Sequence, residues 1–572
     1  MNFIKVNMNT KSVAIEAVPE EYKGIGGRGL TSIMINKDVP AGCDPLGPEN
    51  KLIFATGMFC GTSMFNSSRV SIGAKSPLTG GIKEANAGGT AGAALGKLGI
   101  AAIIVDGKPK AGDLSILKFD LEGKAELIDA SEYRGMRTYA LVEKLHAKYG
   151  DKNAVLCIGP AGEYMMKSAS IQGSDVDKRP CRAAARGGIG AVMGSKGLKA
   201  VIIPQNGKKA DPVVDKESFN EATKTFAAMV KANPFEGELL PAFGTPALVA
   251  PVNLMGAFPC YNATKGEFEG WQKISGEALA NTIKERGGQT GHVGCSQCII
   301  RCSNVYNDKN GKYVSSSIEY ETVWAMGGMC GIDDLDVVAR MDFLCDDIGL
   351  DTMNTGVAIA VAMDSGYRKF GDKNAPIEIM EEIAKGTEMG RIFGDGPSAV
   401  GKHFNNPRVA AVKNQSIAAY DPRGMIGNGV TFATSTMGAD HTSGNMVAMY
   451  LGHILDPLKK EGQLENSREN QIFCAMADSM GLCLFAMYSI ASPDAKEMFI
   501  KLINARLGES WKVEDLRAIG VRILSAEKEF NKKAGLTAKD DRLPEFFMKE
   551  PLPPHNVVFP FTDAELDSVH NF

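Results

Sequence analysis

The sequence predicts an α+β multidomain protein in which a β-rich N-terminal domain is followed by two mainly α-helical domains. Up to about residue 200, short β-branched and apolar runs alternate with glycines, which is typical of strands and tight turns. From Lys216 onward, apolar residues recur at spacings of three and four, which is typical of amphipathic helices. The polar segment from Gln205 to Asp215 separates these patterns, and we place the first domain boundary there.

The length and the composition fit three folded domains. At roughly 150 residues per domain, a chain of 572 residues corresponds to three or four domains. The chain is 44% hydrophobic and 23% charged, so it has enough apolar surface for large cores and is not intrinsically disordered. We therefore assign residues 1–206 to the β-rich domain, 207–405 to the first helical domain and 406–572 to the second.

Individual elements follow from the same patterns. In the first domain, strands are predicted at four short apolar runs: Ser12 to Ile15, Lys51 to Ala55, Ala101 to Val105 and Ala200 to Ile203. Helical periodicity is confined there to Gly89 to Leu98 and Tyr139 to Tyr149. Later helices are predicted at Lys216 to Ala232, Asp334 to Ile348, Pro376 to Gly386, Ser467 to Leu484 and Ser492 to Leu507. Residues 420–430 are predicted as a loop, and residues 551–572 as a wrapped tail.

Charge and hydropathy exclude two classes of partner. The formal net charge is −4, so the chain has no basic excess for nucleic acid or for an anionic membrane surface. It contains no run of about 18 apolar residues and begins without a basic segment followed by an apolar one. We therefore expect a cytoplasmic protein without a signal peptide. Twelve cysteines in such a chain indicate reduced thiols or metal ligands rather than disulfides.

The strongest local motif is a three-cysteine segment. Cys295, Cys298 and Cys302 lie at spacings that let three thiolates converge on one soft metal centre, with a fourth ligand from elsewhere. We favour an iron–sulfur cluster over structural zinc, because zinc sites usually use two cysteine pairs and no second pair is present. A buried cysteine cluster without metal is the third interpretation. The eight remaining cysteines lack ligand spacing and are predicted to be buried: Cys43, Cys60, Cys157, Cys181, Cys260, Cys330, Cys345 and Cys474.

A six-residue pattern occurs twice in the helical half of the chain. The segments Asp346 to Asp351 and Asp478 to Cys483 both have the form Asp-x-x-Gly-Leu-(Asp/Cys). Each follows a helical run, where glycine is a natural C-cap. One copy alone would indicate only helix capping, whereas two copies indicate a shared role. Cys483 is therefore a candidate for the fourth ligand of the three-cysteine site.

Two glycine-rich segments carry groups suited to an anionic ligand. Arg69 to Gly89 and Arg182 to Gly190 combine arginines with hydroxyls or exposed backbone amides, although each is also compatible with ordinary turns. Residues Gly24 to Gly29 fit Gly-x-Gly-x-x-Gly, but they do not follow a buried strand, so NAD is not predicted. Residues Gly92 to Leu98 resemble a P-loop that is one residue short, so ATP is not predicted.

Together, these segments resemble the aldehyde ferredoxin oxidoreductase family of tungsten enzymes over nearly the whole chain. The resemblance rests on the ordered set of Gly26 to Leu30, Arg69 to Gly89, Arg182 to Lys199, Cys295 to Cys302, Glu319 to Thr322, the two Asp-x-x-Gly-Leu elements, and Gly438 to His441. It implies a β-rich base domain under two pterins, covered by two helical domains. It also implies a tungsten bis-molybdopterin, one [4Fe–4S] cluster and Mg2+ that bridges the pterin phosphates.

The resemblance assigns roles to individual residues. The cluster ligands would be Cys295, Cys298, Cys302 and Cys483. The cofactor-binding residues would be Arg69 between a pterin and the cluster, Asn86, Gly88, Arg182 and Ala183 at the phosphates and Mg2+, and Asp346, Gly349, Leu350, Asp478 and Leu482 at the pterins. The catalytic residues would be Glu321, His441 and Tyr420. No protein ligand to tungsten is expected.

The function implied by the resemblance is the oxidation of aldehydes to carboxylic acids with water as the oxygen source, in a reaction that would also run backwards. Electrons would leave through the [4Fe–4S] cluster to a ferredoxin or a small iron–sulfur subunit, and a homodimer is compatible with this scheme. Two alternatives stay open: another low-potential reduction, such as aryl-CoA reduction, and a non-catalytic electron-transfer module. The acid–base set of Glu321, Tyr420 and His441 favours an enzyme, because a pure electron conduit does not need one.

Overall fold

The N-terminal region consists mainly of β-strands. The computed structural model describes residues 1–207, 213–490 and 492–572. The strands of this region are β1 (Asn2–Asn7), β2 (Ser12–Ala17), β3 (Leu52–Thr56), β4 (Val70–Lys75), β5 (Ile82–Ala87), β6 (Ile100–Asp106), β7 (Ser115–Phe119), β8 (Ala125–Asp129), β9 (Asn153–Cys157), β10 (Ile171–Gly173), β11 (Arg182–Ala184) and β12 (Leu198–Pro204). Its helices are α1 (Gly27–Asp38), α2 (Ala91–Lys97), α3 (Thr138–Tyr149), α4 (Pro160–Glu163) and α5 (Ile189–Ser195).

These strands form two six-stranded sheets. The first has the order β2-β1-β6-β3-β4-β5 and the second the order β11-β10-β9-β12-β7-β8. Within each sheet one pair is parallel, β1 with β6 and β7 with β12, and the other pairs are antiparallel. Four of these twelve strands, β3, β4, β10 and β12, are buried along their full length, because helices and the C-terminal regions cover the middle of the sheets.

The region after the first boundary is mainly helical. It contains α6 (Lys216–Ala232), α7 (Leu240–Phe243), α8 (Val249–Leu254), α9 (Gly276–Glu285), α10 (Tyr320–Met326), α11 (Leu335–Ile348), α12 (Thr352–Asp364), α13 (Ala375–Lys385), α14 (Glu388–Gly394) and α15 (Pro397–Phe404). A small antiparallel sheet of β13 (Gln289–His292), β14 (Ser303–Asn307) and β15 (Tyr313–Ser316) interrupts the helices. The three-cysteine segment connects β13 to β14.

The last part of the chain continues this helical pattern. It contains the two-stranded β16 (Ala411–Val412) and β17 (Gln415–Ser416), followed by α16 (Ile426–Thr434), α17 (Val447–Leu451), α18 (Gln463–Met480), α19 (Leu484–Tyr488), α20 (Pro493–Leu507), α21 (Val513–Lys533), α22 (Phe546–Lys549) and α23 (Asp563–Asp567). One large hydrophobic core joins α16, α17, α22 and α23 to α10, α11 and α12. In the described ranges, no helix combines the length and apolar character needed to cross a membrane.

The predicted fold class is confirmed, and most predicted elements are found within a few residues of their predicted bounds. Two predicted segments differ from the structure, and several helices were not predicted at all, among them α1, α12 and α21. Gly27–Asp38 is a helix that the sequence reasoning missed, because its first turn is glycine-rich and the segment follows a short 3-10 turn. Residues Ile426 to Val430 are helical instead of loop. The helix predicted to reach Leu484 ends at Met480, because Gly481 adopts a left-handed conformation with φ of +73°.

The predicted domain limits stay predictions. The proposed linker around Gln205 to Asp215 contains residues 208–212, which lie outside the described residues. The predicted tail does pack on the body of the protein, since Phe559, Phe561 and Leu566 belong to its large core. The eight cysteines that lack ligand spacing are all buried, as predicted.

Candidate active site

The three-cysteine segment is brought together with Cys483. The Cys483 N–H donates to the Asn66 carbonyl at 2.8 Å, and the Asn66 side-chain amide lies 3.5 Å from the sulfur of Cys298. Burial, followed by Glu319, Cys298 and Cys483, raises the pKa of the Cys302 thiol well above its usual value, so the charges of these thiols act on one another. All four predicted ligands are partly exposed, whereas the eight other cysteines are buried. The structure thus places the predicted ligands in one accessible site.

The spacing and the chemistry of this site suit a polynuclear cluster. A single zinc ion with Zn–S bonds of about 2.3 Å would require sulfur atoms within about 4 Å of one another. Among the described residues, the only group of three or more ligand atoms all within 4.8 Å is Asp175, Asp177 and His292, and it contains no cysteine. Burial raises the pKa of Cys298 to about 11, because a thiolate without a nearby cation is costly there. Iron bound at the site would supply that cation.

The Asp175, Asp177 and His292 group itself has other partners. Nε2 of His292 lies 2.8 Å from Asp177 Oδ2, and Arg179 lies 3.1 Å from the same oxygen. The backbone N–H groups of Asp177 and Arg179 donate to Asp175. Because hydrogen bonds and ion pairs already satisfy these ligand atoms, this group gives no sign of a metal requirement.

Arg69 links the cysteine site to the first sheet. Its guanidinium donates to Asn86 of β5, through Nε to Oδ1 and through Nη2 to the backbone carbonyl at 3.3 Å. The charge of Arg69 opposes the burial that raises the pKa of Cys483. The same charge acts on Asp478. Arg69 therefore lies between the second Asp-x-x-Gly-Leu element and the cysteines.

Arg182 occupies a corresponding position on the second sheet. In β11 it neighbours Ala183, and its Nη2 group donates to Ser303 Oγ beside the cysteine segment. Its Nη1 lies 3.6 Å from Glu319 Oε1, and its buried Nε has no hydrogen-bond partner. A buried N–H without an acceptor is uncommon, so this atom is available to an anionic ligand.

Gly88 and its neighbour allow a close approach of the chain segments. A Cβ on Gly88 would lie 2.5 Å from the sulfur of Cys295, so any larger residue there would displace this ligand. Gly89 has φ of +89°, which only glycine adopts readily, and its carbonyl accepts from Ser296 at 3.0 Å. The predicted phosphate segment is thus in direct contact with the cysteine segment.

The two Asp-x-x-Gly-Leu elements both pack against the N-terminal sheets. The helix containing Asp346 ends at Gly349, and Leu350 forms a bridge to Ala169. Burial and the nearby Asp342 carboxylate raise the pKa of Asp346 well above its usual value. In the second element, Leu482 is 1% exposed beside the three-cysteine site.

Asp478 is held by a different set of charges. Its Oδ2 lies 3.4 Å from Nη1 of Arg28, which also forms a buried pair with Glu527. Burial, followed by the charge of Glu84, raises the pKa of Asp478 to about 8 despite this arginine. A carboxyl group that holds a proton near neutral pH can both donate and accept hydrogen bonds, as recognition of a heterocycle requires.

Glu321 and His441 meet at a short distance. Oε1 of Glu321 lies 3.7 Å from Nε2 of His441, which is too long for a direct hydrogen bond. Oε2 of Glu321 accepts from the Ala419 N–H at 2.8 Å, and Oε1 and His441 Nδ1 are buried without partners. Burial raises the pKa of Glu321, and His441 opposes that rise. The two side chains therefore leave polar atoms available to a third group.

Tyr420 completes this set. It follows Ala419, whose amide Glu321 binds, and its ring lies 5.6 Å from that of Tyr320. Burial, together with Glu321, raises the pKa of Tyr420 well above its usual value, so the phenol keeps its proton. The structure thus brings together the three residues that the sequence predicted as catalytic.

Several polar residues of the site were not predicted. Arg186 connects Asp351, at 3.4 Å, to the Ala439 carbonyl at 2.7 Å. Lys83 lies 2.6 Å from Asp440 Oδ2. Burial, followed by Cys474, Tyr420 and Asp478, raises the pKa of Tyr488 well above its usual value. Lys83, Arg186 and Asp440 lie inside segments that carried the resemblance, and this position was the available signal.

Comparison with known proteins agrees with this geometry. The family model "Aldehyde ferredoxin oxidoreductase, N-terminal domain" matches residues 3–205, and the model "Aldehyde ferredoxin oxidoreductase, domains 2 & 3" matches residues 221–567. The chain belongs to the aldehyde ferredoxin oxidoreductase family. It is thus an oxidoreductase, as predicted.

Related proteins of this family cover nearly the whole chain. A tungsten-containing aldehyde ferredoxin oxidoreductase of Pyrococcus furiosus is 35% identical over 96% of this chain and 92% of its own length. An aliphatic sulfonate oxidoreductase, WOR-like subunit, of the same organism is 26% identical over 93% of this chain and 86% of its own. The structure of the active site complex BamBC of benzoyl coenzyme A reductase has a TM-score of 0.81 at 20% identity, over 100% of this chain and 93% of that one. This last likeness concerns the fold.

Proposed function

We propose that this member of the family oxidises aldehydes to carboxylic acids with water as the oxygen source, RCHO + H2O → RCOOH + 2H+ + 2e−. The observation that carries the proposal is the meeting of Glu321, His441 and Tyr420 at one buried place, linked through Arg186 to the first Asp-x-x-Gly-Leu element. An acid–base set beside a redox centre is what the addition of water to a carbonyl requires.

The residues present fit the cofactors implied by the family. The four cysteines would hold a [4Fe–4S] cluster, and Asp346 and Asp478 would bind the two pterins of a tungsten bis-molybdopterin. The unpartnered Nε of Arg182 would donate to a pterin phosphate, and Asn86, Gly88 and Ala183 would contact the phosphates and their Mg2+. When bound, the tungsten centre supplies a two-electron acceptor and the cluster a one-electron relay.

The side chains supply the proton chemistry. Tyr420 keeps its proton because its pKa is raised, and it can donate a hydrogen bond to the aldehyde oxygen together with His441. Glu321 can accept a proton from the attacking water through its unpartnered Oε1. Because burial raises the pKa of Glu321, the base becomes ionised at a higher pH than an exposed glutamate does. Activity is therefore expected to rise with pH through the pKa of Glu321.

Electrons would pass from the cluster to a ferredoxin or a small iron–sulfur subunit. The partial exposure of Cys295, Cys298, Cys302 and Cys483 supports this, because a carrier must approach the cluster closely. The same route would serve acid reduction with a low-potential donor. A homodimer is compatible with the scheme.

Metal analysis and a matched pair of variants test the proposal. The purified protein is expected to contain about one tungsten and about four iron atoms per chain and to reduce a viologen dye with aldehydes. Glu321→Gln should lower turnover by about 10²- to 10⁴-fold while leaving metal content intact. Glu277→Gln serves as the control, because Glu277 also lies in the first turn of a helix but is exposed.

Three outcomes would contradict the proposal. Zinc as the only bound metal would exclude the cofactor, and full activity of Glu321→Gln would exclude its role as the base. Reduction of an aryl-CoA ester by a low-potential donor, without any aldehyde oxidation, would assign the protein to the alternative reaction.

A further inference from the structure

The turn that carries His441 is fixed by two buried cations from other parts of the chain. Arg186 donates from Nη1 to the Ala439 carbonyl at 2.7 Å. Lys83 lies 2.6 Å from Asp440 Oδ2, and its side chain is 1% exposed. Lys83 belongs to β5, the strand that also carries a predicted phosphate-binding residue. The turn is therefore attached to the cofactor-binding part of the first sheet by a buried charge pair.

The structure provides a specific space for this lysine. Gly187 has φ of +80°, and a Cβ there would overlap the Cγ atom of Lys83. A larger residue at position 187 would thus be strained and would displace the lysine stem. Burial opposes ionisation of Asp440, but Lys83, Arg186 and His441 together hold the pKa of Asp440 well below its usual range. The carboxylate is therefore ionised and paired inside the protein.

The charge pair lies directly beside the imidazole. Nδ1 of His441 is 3.7 Å from Asp440 Oδ1, and Nε2 is 3.7 Å from Glu321 Oε1. The imidazole thus has a carboxyl group on either side, and the ammonium of Lys83 is paired with one of them. The charged and titratable groups that face this place are Glu321 from α10, Asp440 on the turn, Lys83 from β5, Arg186 before α5, Tyr420 before α16 and Cys474 from α18.

We propose that Lys83 and Asp440 are positioning residues for His441, which fix its turn and place a balanced pair of charges beside the imidazole. The inference rests on the proposed function, since it concerns the hydrogen bond that His441 would donate to the substrate. Burying an ion pair is seldom favourable by itself, so its retention next to a catalytic candidate calls for a role of this kind. Neither Lys83 nor Asp440 is assigned a contact with the substrate.

Single and double substitutions separate charge from structure. Lys83→Met removes the positive charge and keeps an unbranched stem against Gly187, and Asp440→Asn removes the negative charge with little change of shape. Lys83→Met should move the pH at which the imidazole becomes neutral upward by about one unit, and Asp440→Asn should move it downward by about the same amount. The double variant should return close to the wild-type value, because both charges are absent.

The measurement is the pH dependence of modification of His441 by diethyl pyrocarbonate, which reacts with neutral imidazole. The cofactor-loaded protein is used, and peptide mass spectrometry follows each histidine separately. The exposed His453 serves as the internal reference, since its midpoint should be the same in all variants. The pH profile of kcat/KM for aldehyde oxidation should show the same order of midpoints.

The sign of the shifts decides the outcome. A purely structural pair would give losses of stability without opposite shifts, and unchanged midpoints or shifts in one direction in both single variants would overturn the inference. If Lys83→Met does not fold, the other two variants still test the inference, because the midpoint of His441 in Asp440→Asn should lie below that in the double variant. If the two single variants show opposite shifts but the wild-type protein oxidises no aldehyde, the charge balance would be supported and the proposed function contradicted.

Discussion

The two Asp-x-x-Gly-Leu elements have the same backbone geometry but different surroundings. Their glycines, Gly349 and Gly481, both adopt left-handed conformations, with φ of +82° and +73°. Each helix end packs against a glycine that follows a sheet strand: a Cβ on Gly159 would overlap the Ile348 carbonyl, and one on Gly57 would overlap Gly481. The elements are thus equivalent docking points of the helical part on the two sheets.

The last residue of each element makes the difference. Asp351 ends the first element, caps α12 through the Met353 N–H and pairs with Arg186 at 3.4 Å. Cys483 ends the second element and lies with the other three cysteines. One element therefore stabilises the acid–base turn, and the other completes the cysteine site. The last position of this repeated element therefore has a different task in each copy.

The largest expected effect comes from replacing the last residue of the second element. Cys483→Ser should lower iron from about four atoms per chain to near zero and abolish viologen reduction, because three cysteines alone leave one iron without its ligand. Asp351→Asn, at the matching position, should retain the iron. Iron analysis and the visible absorption of the purified variants measure this. Equal iron loss in both variants would show that the elements do not divide the tasks.

The cysteine site could be predicted from sequence because its ligands carry their own chemistry. Three thiols on one short segment restrict each other in space whatever the rest of the fold does, and Cys483 was found because its element was repeated. The charge partners could not be predicted in this way. Lys83 and Asp440 are 357 positions apart, and any lysine or aspartate on the chain would be an equal candidate until the sheet and the turn are placed together.

Helix ends show the same limit. Glycine at position 481 predicts a C-cap, but the run of apolar residues after it resembles a continuing helix, so the prediction reached Leu484. The helix ends because Gly481 adopts a left-handed conformation, in which it packs closely against Gly57 after strand β3. Similarly, α1 was missed because packing of Gly27 and Gly29 against Asp478 and Ser479 stabilises a start that its own sequence disfavours.

A second prediction concerns the cations that support each element. Arg28 beside the second element forms a bidentate pair with Glu527, with both distances 2.9 Å and side chains 2% and 0% exposed. Arg137 beside the first lies 3.5 Å from Asp347 and is 33% exposed. Arg28→Met should destabilise the protein by about 3–5 kcal/mol, because it leaves a buried carboxylate unpaired. Arg137→Met should cost less than about 1 kcal/mol, since solvent screens its charge.

Denaturant midpoints of the two variants measure this difference. The double variant Arg28→Met with Glu527→Gln removes both buried charges and should recover part of the loss. Similar midpoints for Arg28→Met and Arg137→Met would contradict the view that the buried pair of Arg28 stabilises the protein more than the partly exposed pair of Arg137.

The smallest expected effect concerns the two pairs of neighbouring carboxyl groups, one at each element. Burial raises the pKa of Asp342, beside Asp346, to about 7, and it raises the pKa of Glu84, beside Asp478. A carboxyl group with a raised pKa keeps a proton that the unfolded chain releases, so the free energy of unfolding falls as pH rises from about 4 to about 7. Asp342→Asn should remove part of this fall, by about 1 kcal/mol between pH 5 and pH 6.

The matched variant Glu84→Gln, beside the second element, should also weaken the fall of the free energy of unfolding with rising pH. Thermal midpoints between pH 5 and pH 8 measure both. Because Arg28 lies beside Asp478 and offsets part of its charge, the flattening by Glu84→Gln should be the weaker of the two. A steeper fall with pH in Asp342→Asn would mean that Asp342 is ionised in the folded protein. In that case Arg182 would outweigh the burial of Asp342 and Asp346, and the first element would present a charged carboxylate where the second presents a protonated one.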